Sequence, residues 1–312
     1  MPWANAQGTD ATPTTAPKSV PAVTPALDLS EPRALLAGGD YAGADRRLRE
    51  ILTQAPDSAE AHFLLGFTLL HEEQPKQSLA EYTLGAKHRD PGPAELIGMA
   101  SDYLVLKDYP NADHLLTTAT QRAPKLAIGW YLLGRAQYSE GHAADAEKSF
   151  LACLRLNPHH LLAEYSLGAA YEKLNRPEEA ATAYRTAISW QDTSPVKDPQ
   201  PYFNLGMMLR RQGHVTEALP YLKSAVTAGF RDPIAHQELG LANEQLGHYE
   251  DALSELKQAS DLSPNTEALH FFLGRVYRKA GHGNEAANEF AQAAKLSGVA
   301  ASYPAPNTGE HH

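Results

Sequence analysis

Apolar residues in this chain recur at helical spacing, and the spacing itself recurs every 34 residues. Frames begin at Ala59, Pro93, Ala127, Leu161, Pro199, Pro233 and Glu267, and every step is 34 except one of 38, between Leu161 and Pro199. The seventh position of each frame holds Leu65, Met99, Leu133, Leu167, Leu205, Leu239 and Leu273. The twenty-fourth holds Tyr82, Leu116, Phe150, Tyr184, Leu222, Leu256 and Phe290. Spacings of three, four and seven put such residues on one helical face, so each frame predicts two amphipathic helices, A and B.

Small residues mark where A and B cross. Position eight reads Gly66, Ala100, Gly134, Gly168, Gly206, Gly240 and Gly274, and position twenty reads Ser78, Ala112, Ala146, Ala180, Ala218, Ala252 and Ala286. A helical glycine costs roughly 0.5–1 kcal/mol relative to alanine, so its repeated placement needs a packing reason, and close helix approach supplies one. The frame breaks in its middle, usually at glycine (Gly141, Gly213, Gly247, Gly281), as a helix C-cap does. Acidic residues open helix B (Asp145, Glu179, Glu217, Asp251, Glu285), where they complement its dipole. Prolines near its end (Pro56, Pro124, Pro158, Pro264) stop it.

Residues 127–160 carry Trp130, Leu133-Gly134, Ala146, Phe150 and Pro158, with Gln137 in a tyrosine slot and Tyr138 one place later. This resembles the tetratricopeptide repeat. The resemblance covers about residues 28–297, with seven full repeats and a degenerate first one, over 28–58, that shows only its second half clearly (Ala44, Leu48, Ile51, Pro56). It implies an all-α chain wound into a right-handed α-α superhelix. It also implies that the A helices line a concave groove, faced by positions two, five, nine, twelve and thirteen.

Charge and cysteine content narrow the picture. Twenty-seven Lys and Arg stand against 37 Asp and Glu, a formal charge of −10 over 312 residues, which disfavours general binding to nucleic-acid phosphates. The single cysteine, Cys153, occupies a slot that elsewhere holds alanine (Ala119, Ala187, Ala225), so it reads as a packing thiol. No apolar run approaches the ~20 residues of a membrane span. Residues 1–27 are rich in Ala, Thr and Pro, with prolines at 13, 17, 21 and 25, and are expected to form a disordered tail, as are residues 298–312. Ala4-Asn5-Ala6 followed by Gln7 is similar to the end of a secretory signal, without the basic and apolar segments that precede one. Export to the periplasm or medium is expected if a signal lies upstream, and a cytoplasmic location otherwise. The extra residues of Gln191–Pro201 mark either a change of superhelical angle or a plain surface loop.

Candidate chemistry is sparse. Four of the fourteen histidines, His142, His214, His248 and His282, share position sixteen, but repeats stack at about 8–10 Å, too far for adjacent members to close a metal site. His62, His236 and His270 fill the slot of Trp130 and are expected to pack. Neither a phosphate loop nor a hydrolase motif is present, and no cofactor is expected. The informative feature is the groove. Its apolar and aromatic part is Phe63, Phe67, Ile97, Tyr131, Tyr165, Phe203, Met207 and Phe271, joined by Arg135 and Asn204. Toward the C-terminus Arg210, Arg211, Arg275, Arg278 and Lys279 make it cationic. Such a face suits another protein, presented as an extended peptide or an amphipathic helix with acidic groups. The carboxylate clamp of chaperone-binding family members is matched only at Asn204. The expected function is a non-catalytic interaction scaffold. The alternative is a targeting or regulatory subunit for a separately encoded enzyme, such as a glycosyltransferase or peptidase.

Overall fold

The computed structural model describes residues 27–191 and 197–298, and these form sixteen helices and no strand. The helices come as eight A–B hairpins. They are α1 (Ser30–Ala37) with α2 (Tyr41–Gln54), α3 (Ala59–His71) with α4 (Pro75–Ala86), α5 (Pro93–Val105) with α6 (Tyr109–Arg122), and α7 (Ala127–Ser139) with α8 (Ala143–Leu156). The C-terminal four are α9 (Leu161–Lys173) with α10 (Pro177–Ser189), α11 (Gln200–Arg211) with α12 (Val215–Thr227), α13 (Pro233–Gln245) with α14 (Tyr249–Leu262), and α15 (Glu267–Lys279) with α16 (Gly283–Ser297). Each helix packs on the one before it, and each A helix from α3 onward also touches the next A helix. The result is an all-α superhelix with the A helices on its inner side. The degenerate first repeat does have a first helix, but α1 is only eight residues long.

Helix crossing in the hairpins follows the small slots. A Cβ added at Gly134 would lie 2.6 Å from the Phe150 ring, and one at Gly168 would lie 2.6 Å from Tyr184. Real Cβ atoms do not approach so closely, so the position-twenty-four side chain of helix B fills the space that glycine leaves on helix A. Phe150 and Tyr184 are fully buried there. Cys153 is buried in the same cluster as Phe150, and burial pushes its thiol up to about 11, which keeps it protonated and unreactive.

Turns between A and B obey one backbone rule rather than one residue rule. Position fifteen has positive φ in all eight hairpins, from Gly39 through Glu73, Lys107, Gly141, Asn175, Gly213 and Gly247 to Gly281, at 57–87°. Three repeats therefore break at a non-glycine residue in the left-handed conformation, at a cost of order 1 kcal/mol each. The N-terminal and C-terminal tails, residues 1–26 and 299–312, lie outside the described residues, as do residues 192–196 of the insertion. The ends of that insertion are joined by the buried Gln191, whose Oε1 accepts from the Asp198 amide at 2.5 Å. Among the described residues no helix is long and apolar enough to cross a membrane.

Candidate functional site

Because successive A helices touch along the inner side, side chains at their exposed positions converge there. A cavity of about 240 Å³ opens where α7, α9 and α11 meet. Arg135, Tyr138, Tyr165, Ser166, Gln200 and Asn204 line it, with the buried Phe150 beneath. Its volume equals that of roughly eight water molecules, enough for one side chain and its backbone. The Arg135 guanidinium lies 5.7 Å from the Tyr131 ring centroid and is exposed. Burial raises the phenols of Tyr138 and Tyr165 above the usual tyrosine range, so they line the site as neutral hydrogen-bonding groups.

The other groove residues expected from the sequence divide by exposure. Phe63, Tyr131 and Phe203 are buried rather than displayed, at 4%, 7% and 8% exposure. Phe63 packs against Tyr82 and against the backbone at Gly85, Tyr131 against Phe150 and His160, and Phe203 against Phe230. These three position-five rings turn back into the core and only support the groove floor, whereas Tyr165 at the same position reaches the cavity wall. Phe67 is exposed and sets its ring edge-on to His71. Ile97, Met207 and Phe271 are half-buried, and Phe271 packs against Phe290.

The cationic end is also not as the sequence suggests. Arg210 is only 13% exposed and donates from Nε to Glu238 Oε2 at 2.6 Å. Arg275 meets Glu244 with two parallel hydrogen bonds, of 2.7 and 2.5 Å, and Lys279 reaches the same carboxylate at 3.0 Å. Glu238 and Glu244 sit on the middle helix, α13, and are themselves buried. Much of the positive charge read from the sequence is therefore consumed between neighbouring repeats. Arg278, exposed, lies over the Phe290 ring at 5.4 Å.

Tyr138, Ser166 and Gln200 were not named as site residues from the sequence, although Tyr138 and Gln200 occupy the groove-facing positions twelve and two; Ser166 is at position six. Nor were Glu238 and Glu244, although an acidic residue one repeat away from each arginine was a visible signal. A larger cavity, of about 730 Å³, lies away from the A-helix face, against α12, with Lys197, Tyr202, Pro220 and Lys223 in its wall. It opens beside the insertion. The four position-sixteen histidines each precede a B helix and make no capping bond through the side chain.

Comparison with known proteins places this geometry. The curated protein FlbA of Caulobacter vibrioides is 28% identical over 135 residues, which are 43% of this chain and 22% of FlbA. This chain therefore spans less than a quarter of that relative's length. Among solved structures, a tetratricopeptide repeat protein from Parabacteroides merdae superposes with a TM-score of 0.59 at 17% identity, covering 79% of this chain and 96% of its own. PilW, a type IV pilus biogenesis factor, gives 0.58 at 21% identity, covering 67% and 94%. YrrB, a protein of the same repeat class with an unusual peptide-binding site, gives 0.52 at 20% identity, covering 59% and 92%. At these identities the likeness is one of fold. The tetratricopeptide repeat profile matches residues 32–93, 97–158, 131–195 and 238–304, well over half of the sequence, and the chain belongs to the tetratricopeptide repeat family.

Proposed function

We propose that this chain is a non-catalytic scaffold that holds a segment of a partner protein against the middle of its concave face. The family supports protein interaction in general. The observation that carries the finer reading is the cavity between α7, α9 and α11, where an exposed arginine, an asparagine, a glutamine and two tyrosines converge across three repeats. Aromatic walls with a few polar groups are what a short peptide needs for burial and register. An acidic side chain in the partner segment matches Arg135. An extended strand and a helix both fit a face of this kind, and YrrB shows that the fold admits a peptide site.

Panning a random peptide library against the intact chain tests the reading. Peptides so selected are expected to lose about tenfold or more in affinity, about 1.4 kcal/mol, on the Arg135→Glu and Asn204→Ala variants, with circular dichroism unchanged. Equal affinity for both variants and the native chain would remove the central cavity as the site.

A further inference from the structure

Frame position four holds Trp130 in one repeat and histidine in three others, and position twenty-three faces it from helix B. Trp130 donates its indole N–H to the Pro124 carbonyl at 2.9 Å, which ties α7 to the turn before it. His62 and His270 make the same tie. Their Nε2 atoms lie 2.8 Å from the Pro56 carbonyl and 3.0 Å from the Pro264 carbonyl. Each ring also sets Nδ1 against a carboxylate on helix B, Glu81 at 2.6 Å and Glu289 at 2.7 Å. One imidazole thus spans a turn, an A helix and a B helix.

Carbonyl and carboxylate oxygens are both acceptors, and a neutral imidazole has a single N–H. Both contacts are satisfied together only by the imidazolium. Once the proton is lost, one ring nitrogen turns a lone pair toward an acceptor about 3 Å away. His236 differs, because its contact with Glu255, at 2.8 Å, is one that a single N–H can satisfy. Charged neighbours on the packed helices belong to the same arrangement. Arg49 on α2, with Asp45 and Glu72 nearby, interacts with Glu81. Lys257 on α14, with Glu250 and Tyr277 nearby, interacts with Glu289. Both cations stand at position twenty-five of the preceding repeat and favour the ionised carboxylate.

We propose that His62 with Glu81, and His270 with Glu289, are proton-dependent latches that close the helix pairs α3–α4 and α15–α16 near either end of the described array. They hold while the ring is protonated and loosen when it becomes neutral. The repeat at Ala127 carries the proton-independent form, with Trp130 tied to the Pro124 carbonyl and Ser149 in place of the position-twenty-three carboxylate. Burial works against a charged His270, but its bonds to Glu289 and to the Pro264 carbonyl outweigh burial and raise its proton affinity. The sign follows from linkage. A raised folded value means that stabilisation is complete below the ordinary imidazole range, near 6.5, and is lost as pH rises through the folded value. Repeats couple mainly to their neighbours, so the loosening stays local.

Two measurements on the full chain decide the matter. Histidine ring NMR should show both N–H groups of the protonated His62 and His270 rings hydrogen-bonded, and His270 titrating above the ordinary imidazole value near 6.5. A free ring N–H on either protonated residue, or titration of His270 at or below that value, overturns the proposal. Hydrogen exchange, corrected for the intrinsic rate, should show protection in α15 and α16 falling several-fold relative to α7 and α8 between pH 6 and pH 8.5. The His270→Trp/Glu289→Ser variant, which installs the pair found at Trp130 and Ser149, should abolish that fall. A fall of equal size in the variant overturns the latch. If that variant does not fold, His270→Gln replaces it under the same criterion.

Discussion

In the N-terminal half of the array Asp102 is buried with no cation beside it among the described residues, whereas in the C-terminal half Glu238 and Glu244 are buried against Arg210 and against Arg275 with Lys279. Asp102, on α5, is within hydrogen-bonding distance of Ser78, its Oδ2 lying 2.5 Å from the hydroxyl, while Ser78 also lies 2.8 Å from the Gly66 carbonyl. One hydroxyl proton cannot serve both acceptors, so the pair is complete when Asp102 carries a proton. Burial pushes Asp102 up to about 7, against the opposing effect of its contact with Ser78. Among the described residues its Oδ1 has no hydrogen-bond partner. The same chemical group is thus handled by protonation in one half and by pairing in the other. Pairing across repeats fixes the relative placement of α11, α13 and α15, and protonation makes stability depend on pH instead.

Four substitutions test that contrast, in descending order of effect. Arg210→Ala removes the partner of a buried carboxylate and should cost about 3–5 kcal/mol, read from chemical denaturation. A midpoint unchanged from the native chain would mean that Glu238 is not held by that pair. Asp102→Asn should act in the opposite direction. Because the folded value lies above the ordinary value near 3.9, the native chain loses stability as pH rises from about 4 to about 7, by on the order of 3–4 kcal/mol. The asparagine variant should lack this slope and exceed the native chain at pH 8, whereas parallel pH profiles would refute the protonated reading. For Arg275→Ala the loss should be smaller, about 1–2 kcal/mol, since Arg275 is about one-third exposed and Lys279 still meets Glu244. Arg211→Ala, on an exposed position beside Arg210, should change stability by less than about 0.5 kcal/mol. A cost equal to that of Arg210→Ala would erase the distinction between buried and surface charge.

The groove was legible in part, and the physical reason can be located. Frame position tells which residues share a helix face, and it placed Arg135, Tyr165 and Asn204 on the side where they do converge. It did not tell how deeply a face is covered. Phe63, Tyr131 and Phe203 sit at the edge of that face, and their rings turn inward because buried aromatic area is favourable against helix B. The histidines at position four are similar in this respect. Their slot was readable as a packing position, but their bonds to Glu81, Glu255 and Glu289 depend on the crossing of A over B.

By itself the sequence determined the helices, their period and their crossings. A helix boundary is set by local chemistry, and α3, α5, α7, α9, α13 and α15 begin at Ala59, Pro93, Ala127, Leu161, Pro233 and Glu267, the first residues of their frames. Glycine and alanine at the small slots specify close approach because a larger side chain has no room there. The tertiary structure alone decided which charges remain available. Arg210, Arg275 and Arg135 are equivalent as letters, but the first two meet buried carboxylates from the next or preceding repeat, while Arg135 stands exposed at the mouth of a cavity. Electrostatic interaction depends on separation and burial across repeats 28 to 31 residues apart in sequence, and no local pattern fixes either quantity.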